Sequence, residues 1–315
     1  MTDSRGRVVY FNGRFVPEAE ARVSIYDSAL NFGDMAYEVT RTYHGRPFRL
    51  RDHLDRLFHS LAGMQIDAGL SIDELEKQTL ETLERNLPTE AQDVDWNIIH
   101  NVSRGPAAGF WQAFSPDELR PTVIISCFPI VARMAALASA YSDGVDLVVP
   151  AQRAMPHELL DTSIKNRNRW HFQLANLQAA KIARGALAAL VDPDGYLTEC
   201  TSANLFLVRD GVVATPDRRN LLPGITRQVV LELAEGLALP IAETNLTPAD
   251  AIAADEVFIT STSIGVLHAR SFAGQSIHGG RLGPITSQLR AALEKEVGLD
   301  FAAQAQTYAQ RSPSL

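Results

Sequence analysis

Strand-like runs of β-branched and aromatic residues alternate with amphipathic helical stretches along the chain, which restricts it to a mixed α+β fold. "VVYFNGRFV" reads as two short strands about an Asn12-Gly13 turn, and "YEVTRTYHGRPFRL" repeats the pattern about His44-Gly45. "RDHLDRLFHSLAGM" then turns helical: Leu54, Leu57, Phe58 and Leu61 form one stripe, and Asp52 is placed to cap its start. A second helix is expected from Ser71 to Leu87. "WNIIHNVS" and "TVIISCF" read as strands around a Gly/Pro-containing loop from Gly105 to Pro121. These elements make one α+β unit over residues 1–130. The Ala-rich "VARMAALASAY" is read as a connector over 131–142, although such sequence also suits a short helix. Across 143–315, strands are expected at "VDLVVP", "ALAALVD", "NLFLV" and "EVFITS", with helices near 170–184, 225–238 and 285–297.

Composition narrows the function classes. With 315 residues, 46% of them hydrophobic and 21% charged, the chain has apolar material for two cores. No uninterrupted apolar stretch is long enough to span a bilayer, and "MTDSRGRVVYFNGRFV" lacks the basic-then-apolar order of a signal peptide, so a cytoplasmic location is expected. Cys127 and Cys200 are the only cysteines; each lies in an apolar or small-residue stretch and reads as core. A formal charge of −8 without a sustained Lys/Arg block argues against a nucleic-acid surface, and the eight histidines show no metal-ligand spacing.

Two helix starts are near twins. In "LLPGITRQVVLELAEGLAL", Ile225, Val229, Leu233 and Leu237 recur every four residues, so the helix seats on a core. Pro223 and Gly224 lead into it, and Thr226 lies in the first turn among backbone N–H groups that lack intrahelical partners. Such an end can take a phosphate or be an ordinary cap. "LGPITSQLRAALEKEV" opens almost identically, so the motif alone does not separate the two roles.

Three further stretches carry candidate chemistry. If Ile164 to Arg169 is extended, Lys165, Arg167 and Arg169 point to one face, and neighbouring positive charge lowers an amine pKa. A solvated basic strip is the plain alternative. Glu199, in "DPDGYLTECTSANLFLV", follows a turn at Pro193 to Gly195 and needs a cationic or hydrogen-bonding partner if buried. Ser261, Thr262 and Ser263 end a strand and could cradle an anion or simply form a loop. Arg56, by helical projection, lies well away from the Leu54 stripe, where a solvated arginine is expected.

The order of "HLDRL", the "IK" lysine, "GYLTE" with "SANLF", "LPGITR", "ADEVFITST" and "GGRLGPIT" resembles fold-type IV pyridoxal-phosphate enzymes, the class IV aminotransferases, from about Tyr10 to Leu293. The resemblance implies a two-domain fold: a small N-terminal α+β domain and a larger C-terminal domain with a barrel-like sheet. It implies pyridoxal 5'-phosphate as cofactor, with Lys165 as the Schiff-base lysine and proton carrier. Glu199 would pair with the pyridine nitrogen. Arg56, Ile225, Thr226 and Thr262 would hold the phosphate, with Ser202 and Ser261 also at the cofactor and Leu222 against the ring. "LPGIT" would be the phosphate-binding start and "GPIT" only a cap. Relatives are generally homodimers that act on a small-molecule amino donor and a 2-oxo acid.

Substrate choice follows less directly. "NFGDMAYEVTRTYHG" looks like the D-amino acid aminotransferases, with Phe32, Tyr37, Val39 and Arg41 as pocket candidates. Those relatives hold the substrate carboxylate with an Arg-x-His where this chain has Gly109-Phe110-Trp111. Branched-chain L-amino acid relatives carry a Tyr where this chain has Trp170, and an indole donates but does not accept a hydrogen bond. Trp96, Trp111, Trp170, Arg153 and Ser263 complete the candidate substrate set, and Arg104-Gly105 matches the (R)-amine transaminases. A D-amino acid or (R)-amine donor is therefore expected over a branched-chain L-amino acid. An aminodeoxychorismate lyase would use the same lysine. A non-catalytic binding protein is opposed by the joint presence of Lys165 and Glu199.

Overall fold

The computed structural model describes residues 6–311 apart from 108, 110, 111, 113 and 116–118. The chain divides into two compact units: one runs to Ile130 and takes in Ile164–Asn168, and the other comprises Val131–Ser163 and the chain from Arg169 onward.

In the first unit, β1 (Val8–Phe11), β2 (Arg14–Pro17), β3 (Met35–Tyr43), β4 (Arg46–Pro47), β5 (Trp96–Ser103) and β6 (Thr122–Pro129) form one antiparallel sheet in the order β2-β1-β6-β5-β3-β4. Both expected hairpins form. Asn12 and Gly13 have φ of 48° and 90°, and His44 and Gly45 of 53° and 74°, the paired positive values that tight hairpin turns require. The helices are α1 (Ser28–Phe32), α2 (Leu50–Gly63) and α3 (Ile72–Asn86), the last opened by a Ser71/Glu74 capping box. α2 begins earlier than Asp52 implies. Its cap is Arg49, in the left-handed region, while Asp52 sits in the first turn 3.5 Å from the Arg49 guanidinium.

Alternation in the strands decides what each face does. On β5, Trp96, Ile98, His100 and Val102 are buried, and the first two and Val102 pack in one core with Leu54, Leu57 and Leu61 of α2 and Leu75 and Leu83 of α3. Trp96, expected in a substrate pocket, is therefore a core residue, because its strand parity turns it with Ile98 into that core. On β3, Glu38 and Thr40 have the parity of this face, and Tyr37, Val39 and Arg41 have the other.

The second unit contains α4 (Val131–Ala136), α5 (Ala138–Asp143), β7 (Val145–Val148), α6 (Trp170–Ile182), β8 (Leu187–Val191), β9 (Leu197–Cys200), β10 (Ala203–Arg209) and β11 (Val212–Pro216). It continues with α7 (Ile225–Gly236), β12 (Ile241–Thr244), α8 (Pro248–Ile252), β13 (Glu256–Ser261), β14 (Gly265–Phe272), β15 (Gln275–Ser276), α9 (Pro284–Val297) and α10 (Phe301–Arg311). Six strands close on themselves in the order β10-β13-β14-β7-β8-β9 and back to β10, which is the expected barrel. β7 is parallel to both of its neighbours. Phe206 and Phe258 stack inside this unit with centroids 4.8 Å apart.

Residues 131–142 are not a free connector. They form α4 and most of α5, which pack with α10: Met134 and Tyr141 are buried, Tyr141 stacks on Phe301, and its hydroxyl donates to Ile264 O at 2.9 Å. Cys127 and Cys200 are buried free thiols, each pushed up to about 12 by burial, as core residues should be. Among the described residues, no helix is long and apolar enough to cross a membrane.

Candidate active site

Ile164–Asn168 lies along β3. The Tyr37 N–H donates to Lys165 O at 3.0 Å, and the Arg167 N–H donates to Met35 O at 2.8 Å. A third bond, from Lys165 N–H to Ser60 Oγ at 3.0 Å, ties the segment to α2. In this conformation Lys165 and Arg167 share a face, as expected: Lys165 Nζ lies 4.8 Å and the Arg167 guanidinium carbon 3.8 Å from the centre of the Tyr37 ring. Arg169 does not join them. The chain turns into α6 there, and Arg169 belongs to the second unit, over Phe172 and donating to Thr201 O.

α2 carries a second buried stripe beside its leucines: His53, Arg56 and Ser60, at i, i+3 and i+7. Arg56 is only 9% exposed, contrary to the solvated side chain that projection suggests. Glu38, wholly buried on β3, explains this. Arg56 donates from Nε to Glu38 Oε2 at 2.9 Å and from Nη2 to Oε1 at 2.8 Å, and His53 Nδ1 lies 3.2 Å from the same carboxylate. Burial pushes Glu38 up, but the Arg56 charge and the contact with His53 outweigh it and hold the carboxyl well below its usual range. Burial also lowers the pKa of His53, and the neighbouring Glu38 opposes that shift only in part. Glu38, His53 and Ser60 were absent from the sequence-derived site, although the polar i, i+3, i+7 spacing next to an apolar stripe was visible.

The second unit gives the twin helix starts different surroundings. At α9, Glu256 of β13 accepts from the Ile285 N–H at 3.0 Å and the Thr286 N–H at 2.8 Å, so the protein itself supplies the anion. At α7 the corresponding place is taken by Asn204 of β10. Its amide donates to Leu222 O at 2.9 Å rather than capping the helix, and among the described residues no acceptor meets the Ile225 or Thr226 N–H. Gly224 and Gly283 permit these approaches, since a Cβ would overlap the Asn204 and Glu256 side chains respectively. One helix end meets an internal carboxylate and the other does not, and backbone N–H groups of the latter kind fit a phosphate.

Glu199 is half-buried on β9, paired opposite Asn204, and accepts from the Leu222 N–H at 3.3 Å. Leu222 is thus held through both backbone groups between a carboxylate and the open helix end, an arrangement suited to a flat cationic ring with a phosphate arm. Arg227, the last residue of "LPGITR", is instead buried against Glu243, to which its Nη2 donates at 2.6 Å. Ser261, Thr262 and Ser263 are half-buried where β13 turns into β14, and Ser202 is exposed between β9 and β10.

The substrate candidates are spread widely. Tyr37 is 7% exposed and Val39 half-buried, both on the sheet face opposite to that of Glu38. Arg41 has no accessible surface and stacks on Tyr43 at 4.6 Å, so its side chain is a packing element and not an open ligand group. Phe32 and Trp170 are 67% and 68% exposed, at the end of α1 and the start of α6. Arg153 is also exposed. Trp111 and Phe110 lie outside the described residues.

The family model for class IV amino-transferases matches residues 35–272. The chain is 34% identical over 290 residues to the D-alanine aminotransferase of Bacillus licheniformis, covering 92% of this chain and 96% of that one. It is 32% identical over 300 residues to the branched-chain-amino-acid aminotransferase of Escherichia coli, covering 93% of each. In structure it is similar to a T.th. branched-chain amino acid aminotransferase solved with pyridoxamine 5'-phosphate: TM-score 0.82, 26% identity, 93% of this chain and 95% of that one. With the open helix end, the carboxylate beside Leu222 and the lysine over Tyr37, these matches lead to one conclusion. The chain belongs to the class IV aminotransferases, pyridoxal-phosphate-dependent enzymes that move an amino group from an amino donor to a 2-oxo acid.

Proposed function

We propose that the enzyme takes its amino group from a D-amino acid or an (R)-amine, and that it works as a homodimer in the cytoplasm. The observation that carries the donor assignment is the strip beside Lys165: Tyr37, with the lysine amine over its ring, lies in the stretch "NFGDMAYEVTRTYHG" that resembles D-amino acid aminotransferases. The relative from Bacillus licheniformis supports it.

Pyridoxal phosphate, when bound, supplies an aldehyde for the donor amine and a ring that takes up the electron pair left by the departing proton. Lys165 would hold the cofactor, and its Nζ would carry the proton released from the donor carbon. Glu199 would keep the ring nitrogen protonated, and the hydrogen bond that its carboxylate accepts from the Leu222 N–H holds it in place. In the second unit the Ile225 and Thr226 amides, with Ser261 and Thr262, would receive the phosphate, and Leu222 and Ser202 would border the ring; in the first unit Arg56 is the candidate phosphate-binding cation. Glu38 orients Arg56 for that task through its two-point contact.

A branched-chain L-amino acid donor is the second reading, favoured by the similarity to the Escherichia coli enzyme. A panel of D- and L-alanine, D- and L-leucine and both enantiomers of 1-phenylethylamine, each with pyruvate and 2-oxoglutarate, separates the two. Turnover confined to L-leucine would reverse the assignment.

A further inference from the structure

Ser60 lies on α2, one turn after Arg56, and has no accessible surface. A hydroxyl has one proton to give. Ser60 gives it to Arg56 O at 3.0 Å, so toward Lys165, whose backbone nitrogen lies 3.0 Å away, its oxygen can only accept. The role of each atom is therefore fixed, from the Lys165 amide through the hydroxyl to the carbonyl of Arg56.

β3 holds the other side of the Lys165 backbone. Lys165 O accepts from the Tyr37 N–H at 3.0 Å, Asn166 bridges to Ala36, and the Arg167 N–H donates to Met35 O at 2.8 Å. The next residue along β3 after Tyr37 is Glu38, which holds the Arg56 guanidinium by two bonds of 2.9 and 2.8 Å. These contacts close a circuit: Lys165 to Ser60, along α2 to Arg56, across to Glu38, and back through Tyr37 to Lys165. All of it lies in the first unit.

A regular helix keeps a constant rise, so the turn from Arg56 to Ser60 is a rigid spacer between the arginine and the lysine backbone. Lysine carries its amine on a flexible four-carbon stem, and where that stem starts limits what the amine can reach. Gly63 assists the same docking. A Cβ there would lie 2.7 Å from Ile164 Cδ1, so the bare glycine lets the residue before Lys165 lie against the last turn of α2.

We infer that Ser60 is a positioning residue for Lys165: its hydroxyl keeps the lysine backbone in register with Arg56, so that the amine is set to meet the cofactor aldehyde. The inference rests on the transaminase reading above, with Lys165 as the cofactor lysine. Loss of the hydroxyl removes the acceptor of the Lys165 amide and frees the segment on its α2 side, whereas Arg56 keeps both bonds to Glu38. Attachment to the lysine should suffer, and capture of the phosphate should not.

The two forms of the cofactor separate these effects. Pyridoxal phosphate carries an aldehyde, which condenses with the Lys165 amine and releases water; pyridoxamine phosphate carries an amine in its place and binds without that bond. Apo wild type, Ser60→Ala and Ser60→Cys are titrated with each form, by visible absorbance for the first and calorimetry for the second. Borohydride reduction and peptide mapping locate the label on the wild type. In Ser60→Ala, affinity for pyridoxal phosphate should fall about tenfold, the scale of one hydrogen bond, and affinity for pyridoxamine phosphate should change less than about twofold. Ser60→Cys, whose sulfur is a weaker acceptor, should lie between, and it decides by the same comparison should the alanine variant fail to fold. Equal losses of both forms overturn the inference, because the hydroxyl then serves α2 as a whole. Loss of neither form, or of the pyridoxamine form alone, overturns it too. All of these leave the transaminase reading intact, whereas a wild-type label away from Lys165 overturns the lysine assignment and the positioning role with it.

Discussion

Replacing Glu38 by Gln tests whether Arg56 is held by a buried carboxylate. The side chain of Glu38 is inaccessible and that of Arg56 nearly so, and two hydrogen bonds of 2.9 and 2.8 Å join them. An arginine does not release its proton, so Glu38→Gln leaves a positive charge buried with only a neutral amide beside it. Breaking one side of such a pair costs about 3–5 kcal/mol, and because the glutamine oxygen can still accept one bond the lower end, about 3 kcal/mol, is expected. The reverse change, Arg56→Met, behaves differently. Glu38 loses the cation that holds its pKa down, burial then raises it, and the carboxyl can take a proton instead of remaining charged. Its cost should therefore shrink between pH 7 and 5, whereas that of Glu38→Gln should not. In the wild type the folded pKa of Glu38 lies below the unfolded value of 4.5, so its contribution is complete above about pH 4.5 and is lost only as pH falls through the lower, folded value. The assay is urea unfolding of the apo-protein at pH 7 and pH 5, with the double variant Glu38→Leu/Arg56→Met as the coupling control. That double variant should recover most of the stability but bind the cofactor weakly. A loss below about 1 kcal/mol for Glu38→Gln, or no recovery in the double variant, would refute the pairing argument.

Other outcomes follow from the same structure. The purified protein should be yellow, and borohydride reduction with peptide mapping should place the pyridoxyl group on Lys165; a label on Lys181 would contradict the assignment. Thr226→Ala should weaken cofactor binding by about 1–2 kcal/mol, and Thr286→Ala should not, as titration of the apo variants will tell. Glu256→Gln removes the internal anion from α9 and should lower the melting temperature without changing cofactor affinity. Glu199→Gln should keep its colour and lose most turnover, and wild-type rates at saturating cofactor would exclude the ring-nitrogen role. Burial pushes His100 down to about 4, so between pH 6.5 and 4 the folded chain binds fewer protons than the unfolded one. Stability should drop by about 3 kcal/mol as pH falls across that window. His100→Gln should flatten the curve of urea midpoint against pH, and an unaltered slope would count against this origin.

Regular elements with strong local periodicity were legible in the sequence. The leucine stripe of α2 and the strand pattern of Trp96–Ser103 need only the repeat of 3.6 or 2 to be recognised, and both hairpins carry their turn residues with them. The extended lysine segment was equally local, which is why Lys165 and Arg167 share a face. α10 escaped, and 131–142 was read as a connector with a short helix only as the alternative, because alanine-rich sequence carries little periodic contrast; Tyr141 and Phe301 become core partners only when distant segments meet. The same limit governs the site. "GIT" and "PIT" are equivalent as sequences, and only the strand residue brought against each, Asn204 or Glu256, decides which helix end meets an internal carboxylate. Trp96 and Tyr37 are both aromatic residues on neighbouring strands, but register gives one the core and the other the lysine. Arg56 reads as solvated until Glu38 is found beside it. Local sequence specifies backbone conformation because its period lies within a few residues, whereas whether a charge is neutralised, buried or offered to a ligand depends on a partner that only the tertiary fold supplies.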